Sequence, residues 1–171
     1  LHTTARRQRQ MCIRDRHSRG THIRNLLENL QDDEDIVSIL PISKDIVDEV
    51  TEKCLKVKLE EGEKRPSSGY FLLFATKLGL IKKTDLHEYV RINRNGKYAL
   101  RFKLENDSLV NVQQSVDTDD VVMISTTGYA SRFKCEAIRT SGRVSGGVYG
   151  IKVADRKGSG GGFVAGMLAM S

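Results

Sequence analysis

The chain repeats itself at a spacing of about 50 residues, and few other properties restrict its possible folds as strongly. One copy begins at Phe71 and reads FLLFATKLGLIKKTDLHEYVRINRNGKYALRFKLENDSLVNV. The next begins at Val121 and reads VVMISTTGYASRFKCEAIRTSGRVSGGVYGIKVADRKGSGGGFVAGM. Each runs through an apolar strand, a glycine turn, a basic strand, a loop with Arg and Gly, and two further apolar strands. Gly79 corresponds to Gly128, and Gly96 to Gly147. A third, partial copy, RGTHIRNLLENLQDDEDIVSIL, sets Gly20 at the place of Gly96 and Ile36 at that of Leu109. A unit of this length makes a small sheet that cannot bury both of its faces alone. Neighbouring copies must stack or exchange strands to close a core.

Local signals within the repeats are those of strands. Phe71-Leu72-Leu73-Phe74 is a compact apolar run between Gly69 and Gly79, as in a strand buried on both faces. Asn95-Gly96 is a favoured two-residue hairpin turn, because both positions must tolerate positive φ. Strict alternation follows. Tyr98, Leu100, Phe102 and Leu104 are expected on a buried face, with Ala99, Arg101 and Lys103 facing outward. The pattern returns at Phe133 and Cys135 against Arg132 and Lys134. Ile36 to Leu40 reads as a short strand closed by Pro41. Residues 44–66 are acidic and have no clean period. A hairpin strand at Leu55, Val57 and Leu59 competes there with a helix from Ile46 to Leu55. The expected organisation is a disordered or foreign segment at 1–17, a partial blade at 18–43 and an acidic insert at 44–69. Two complete blades, 70–120 and 121–171, follow.

Charge divides along the same lines. Residues 1–25 carry a net +6, residues 26–66 a net −6, and residues 67–171 a net +6, which together give the overall +6. The basic repeats suggest a polyanionic partner with a phosphate backbone. No apolar run approaches the roughly 18 residues of a membrane span, and no signal peptide is evident, so a cytoplasmic protein without a membrane partner is expected. Cys12, Cys54 and Cys135 are widely spaced and the four histidines scattered, which offers neither a disulfide framework nor a metal site. Gly158 to Gly162 lacks the Lys-Ser or Lys-Thr of a phosphate-binding P-loop and reads as a turn. Asp117, Asp119 and Asp120 read as a solvated acidic turn.

Three stretches carry a specific resemblance: RGTHIRNLL, LFATKLGLIKKT and SGRVSGGVYGIKV. They resemble blade motifs of the C-terminal domain found in the A subunits of DNA gyrases, across residues 18–171 less the acidic insert. Topoisomerase IV carries a related domain. The resemblance implies an all-β fold of β-pinwheel, propeller-like blades, here about two complete blades plus part of a third. In the family such blades form a six-membered ring whose basic rim binds and bends duplex DNA. The family's Gln/Arg/Gly/Lys-rich box for chiral wrapping and its DNA-cleaving tyrosine have no counterpart in this sequence. The expected DNA-binding residues are therefore the outward cations of the blades: Lys82, Lys83, Arg91, Arg94, Lys97, Arg101, Lys103, Arg132, Lys134, Arg139, Arg143 and Lys152. Catalytic and metal-ligating residues are expected to be none. The resemblance further implies two protein partners, a gyrase B-type ATPase subunit with a second A subunit. ATP and Mg²⁺ would be used by other parts of the parent enzyme. A propeller-like repeat protein binding RNA or protein is the competing expectation.

Overall fold

The computed structural model describes residues 25, 34–57, 65–91, 96–153 and 161–171. Leu1–Asp35 and Ile36–Ser171 are separate units. Only Asn25, Glu34 and Asp35 of the first unit are described, so the segment at 1–17 and most of the partial blade fall outside the described residues.

Within the second unit each repeat forms a three-stranded antiparallel sheet. In the first blade, β1 (Tyr70–Thr76) is central, flanked by β2 (Leu80–Asp85) and β3 (Leu109–Val116). In the second, β4 (Asp120–Ser125) is central, flanked by β5 (Ala130–Lys134) and β7 (Val164–Met170). The glycine turns match as well. Gly79 and Gly128 have φ of 93° and 85°, and Gly96 and Gly147 have 73° and 76°. All four lie in the left-handed region that residues with a Cβ disfavour, so the repeat in the sequence marks turns of the same geometry. The hairpin expected at Asn95-Gly96 is not seen: Asn95 lies outside the described residues, and the segment after Gly96 forms no strand.

The blades are joined by strand exchange. β6 (Val148–Tyr149) belongs to the second repeat by sequence, yet it pairs with β2, making the first sheet four-stranded in the order β3-β1-β2-β6. The exchange depends on Gly147. A Cβ there would press on the Ile81 carbonyl, and its φ is already positive.

Burial follows from stacking. Leu73, Ala75 and Ile81 on the forward face of the first sheet pack on Val121, Met123, Cys135, Ile138, Val164 and Met167 of the second blade. The opposite face presents Leu72 and Phe74 to a second cluster with Val50 and Leu86, flanked by Leu40, Ile42 and Ile46. Hence β1 is buried on both faces, as its unbroken apolar run requires.

Part of the cover on that second face comes from the acidic insert. Residues 44–66 contain helix α1 (Lys44–Val50), continued by a π-helical turn at Thr51–Leu55. Ser43 caps α1, its hydroxyl accepting from the Ile46 amide at 3.4 Å. Ile46, Val50 and Cys54 recur at helical spacing; Ile46 and Val50 turn to the sheet and Cys54 is buried against the Pro66 carbonyl, while Asp45, Asp48, Glu49 and Glu52 are exposed. The helix, not the hairpin, is the outcome.

Two strand expectations fail. Ile36 to Leu40 has no regular structure, and Ile39 is 80% exposed. Residues 97–104 form no strand either, and Tyr98 and Phe102 are exposed instead of buried. The reason lies in the repeat. Lys97-Tyr98 occupies the place of Val148-Tyr149, the exchanged strand whose ladder is completed on the preceding blade. Here no described strand stands beside it. The segment is held instead by single contacts, such as the Arg101 amide donating to the Ser145 carbonyl at 3.5 Å. α2 (His87–Val90) follows β2 directly.

Candidate nucleic-acid interface

Lys82 and Lys83 show how strand register decides the fate of a cation. Consecutive residues on a strand point to opposite faces, and both faces of β2 are covered. Both side chains were expected to point outward, and both residues are instead buried, each 2% exposed. Lys82 lies over the Phe74 ring, and its ammonium donates to the carbonyls of Ala99, at 2.5 Å, and Arg143. Burial pushes this ammonium down to about 8 from 10.5, with Glu88 opposing and Arg143 reinforcing the shift. Lys83 lies on the forward face, 4.1 Å from the centre of the Phe71 ring. Its ammonium pairs with Asp117 in the turn between β3 and β4 and donates to the Cys135 carbonyl of the second blade at 3.1 Å. These lysines tie loops and blades together and are not part of an outer surface.

The remaining cations separate into two groups. Arg132 and Lys134 sit on the outer face of the second sheet and share one carboxylate. Arg132 reaches Asp120 at 2.5 Å and Lys134 at 3.1 Å. The second group surrounds the segment 97–103 and the loop 139–147. There Lys103 donates to the Gly147 carbonyl at 2.6 Å, and Lys97 to the Glu88 carbonyl at 3.2 Å. Arg143 pairs with Glu88 at 3.2 Å and also reaches the Tyr98 carbonyl. Arg91, Arg101, Arg139 and Lys152 are exposed and make no ion pair among the described residues. Arg94 lies outside the described residues.

Two further residues stand out that pattern reading passed over. Tyr98 and Tyr149 follow the left-handed glycines Gly96 and Gly147 by two positions, and they are 86% and 62% exposed. Tyr149 is exposed even though it is paired in its strand, so this repeat position points outward by construction. Three residues after each tyrosine comes a cation, Arg101 or Lys152. The shared spacing was the available signal.

The acidic residues are occupied structurally. Asp119 is buried and accepts from the Ser115 hydroxyl and the Val116 amide, each at 3.0 Å, while Asp117 and Asp120 hold lysine and arginine. No cluster of His, Cys, Asp or Glu among the described residues is arranged to hold a metal ion. Among those residues no helix is long and apolar enough to cross a membrane. The glycine run at 158–162 lies mostly outside the described residues.

Comparison with known proteins gives a consistent picture. The family model described as the DNA gyrase C-terminal domain, beta-propeller, matches residues 13–43, 70–115 and 119–159. The chain is 35% identical over 140 residues to the DNA gyrase A subunit of Deinococcus deserti, covering 82% of this chain and 14% of that protein. It is 31% identical over 136 residues to the DNA gyrase A subunit of Lawsonia intracellularis, covering 80% and 14%. The chain thus spans only a small share of the length of these relatives. Among solved structures, the C-terminal domain of DNA topoisomerase IV superposes with a TM-score of 0.63 at 20% identity, covering 89% of this chain and 39% of that one. A DNA gyrase A C-terminal domain gives 0.50 at 18% identity, covering 66% and 38%. These two structures share the fold of stacked β-blades.

Proposed function

The chain belongs to the family of the DNA gyrase C-terminal domain, and from that membership we propose that it binds and wraps duplex DNA for a type II topoisomerase of the gyrase kind. The observation that carries the reading is a set of exposed cations on family blades, Arg91, Arg101, Arg139 and Lys152, with no carboxylate partner among the described residues. Each cation that neutralises a backbone phosphate releases condensed counterions, which gives affinity without reading sequence. A curved series of such contacts offsets the elastic cost of bending the duplex. The blades themselves hold DNA; cleavage, strand passage and ATP hydrolysis with Mg²⁺ belong to other parts of the parent complex. That complex includes a second A subunit together with a B-type ATPase subunit, in the cytoplasm at the nucleoid.

A nicked plasmid sealed by ligase in the presence of the 171-residue chain tests the wrapping. The expected result is a shift in the topoisomer distribution that grows with protein concentration. An unshifted distribution at saturating protein would reject wrapping, and tighter binding to structured RNA than to duplex would favour the RNA-binding alternative.

A further inference from the structure

The loop motif SGRVSGG builds a cleft on the edge of the first blade. Thr140 bridges to Lys83 on the β2 edge, and the Ser141 amide donates to the Lys83 carbonyl at 2.9 Å. The chain then arches away and returns to the same edge at Val148, which pairs with Ile81. Between the two anchor points lies a cleft of about 410 Å³ lined by Ile81, Lys82, Thr140, Ser141, Ser145 and Arg139, with Val148 and two glycines completing the wall. Its lining contains one exposed cation, Arg139, three hydroxyls and no carboxylate, with the Lys82 ammonium buried behind it.

We propose that this cleft is the seat of one phosphate group. The proposal rests on the duplex-binding reading for the source of that phosphate, a phosphodiester of the DNA backbone. The Arg139 guanidinium is exposed and makes no ion pair among the described residues, and its planar fork matches a phosphate edge. Ser145 donates to the Ser141 hydroxyl at 2.8 Å, and Ser141 in turn donates to the Lys83 carbonyl at 3.2 Å. A hydroxyl rotates freely, so Ser145 turns its proton to an entering anion while Ser141 keeps its bond to the backbone. Behind the wall the Lys82 ammonium meets carbonyl oxygens at bonding distance, and Glu88, the carboxylate that acts on it, is itself paired with Arg143. Free phosphate shares this chemistry, so the two sources need separate measurements.

Duplex affinity and its salt dependence are measured for the parent chain, Arg139→Gln and Ser145→Ala, and inorganic phosphate is titrated at constant ionic strength while the amide resonances of the 141–147 loop are followed. Arg139→Gln is expected to weaken duplex binding several-fold and to reduce the log–log salt slope by about one. Ser145→Ala is expected to weaken binding with the slope unchanged, because no charge is lost. Loop resonances that move with phosphate in the parent, and not in Arg139→Gln, while both variants bind duplex like the parent, would assign the seat to free phosphate. Parent-like duplex binding by both variants and an unresponsive loop would overturn the seat, with the DNA-binding reading intact. A parent that fails to bind duplex would instead remove that reading.

Discussion

Asp85 illustrates what a single residue contributes here. Its carboxylate is buried, which by itself would raise its pKa. Hydrogen bonds from the Ser68 and Ser67 hydroxyls, at 2.6 and 2.7 Å, and from the His87 and Ser68 amides outweigh burial and hold it below 3.8. The folded-state value is depressed, so this stabilisation is present above the unfolded value and is lost as pH falls through the folded one. Asp85→Asn keeps the shape and removes the charge. We expect it to cost about 2–3 kcal/mol at neutral pH and to flatten the acid limb of a thermal-melting profile; a parent-like profile would count against this role for the carboxylate. Lys82 is depressed as well, but here burial penalises the charged form. Its folded value near 8 lies below 10.5, so the unfolded chain binds more protons between these limits, and this group makes stability rise with pH there. Burial raises the thiols of Cys54 and Cys135, which pulls stability down increasingly as pH approaches and passes 9.0, so the window for comparing parent and variant is pH 8 to 9. Melting temperatures of the parent and Lys82→Met across that window should show a rise for the parent that the variant lacks. Equal slopes would place the ammonium in water.

Among the elements, the exchanged strand β6 is the one whose loss should be most visible. Gly147→Ala puts a side chain against the Ile81 carbonyl at a positive φ, and we expect a loss of about 1–3 kcal/mol together with faster amide exchange at Val148 and Tyr149. Gly128→Ala is the control, since its φ is also positive but nothing lies within 4 Å of the added carbon. If both variants lose the same stability, the crowding at β6 is not what makes Gly147 necessary. The elements also show which parts of the fold were legible in the sequence. The period, the four matched glycines and the doubly buried β1 could be read because each is written locally, in turn chemistry or in an apolar run. The burial of Lys82 and Lys83 could not. Their partners are distant in sequence, Ala99 and Asp117 in later loops of the same blade and Arg143 and Cys135 in the next one, and a lysine in a strand otherwise looks like a solvated cation. Residues 97–104 misled for the related reason that alternation describes the faces of a strand only when a neighbouring strand exists. The insert helix was one of two open readings. Ile46, Val50 and Cys54 decided it by burying one helical face.

For the whole molecule the quasi-symmetry of the blades makes a further demand. The forward face of the first sheet, with Leu73, Ala75 and Lys83, is covered by the second blade. The matching positions of the second sheet are Val122, Ile124 and Arg132. Ile124 is 48% exposed, and Leu168 and Met170 beside it are 51% and 41% exposed. An apolar face of this kind favours association. Ile124→Thr with Leu168→Thr is therefore expected to lower self-association in sedimentation experiments without loss of fold, and unchanged association would show that this face is not responsible. The cations of the proposed DNA-binding surface, Arg91, Arg101, Arg139 and Lys152, are other residues, and everything proposed about function turns on whether they hold duplex. The direct measurement is the affinity of the 171-residue chain for duplexes of unrelated sequence as salt is raised. We predict equal affinities across sequences and a log–log slope of about −3 to −6, as expected for several neutralised phosphates; a flat salt response, or no duplex binding by the folded chain, would contradict it.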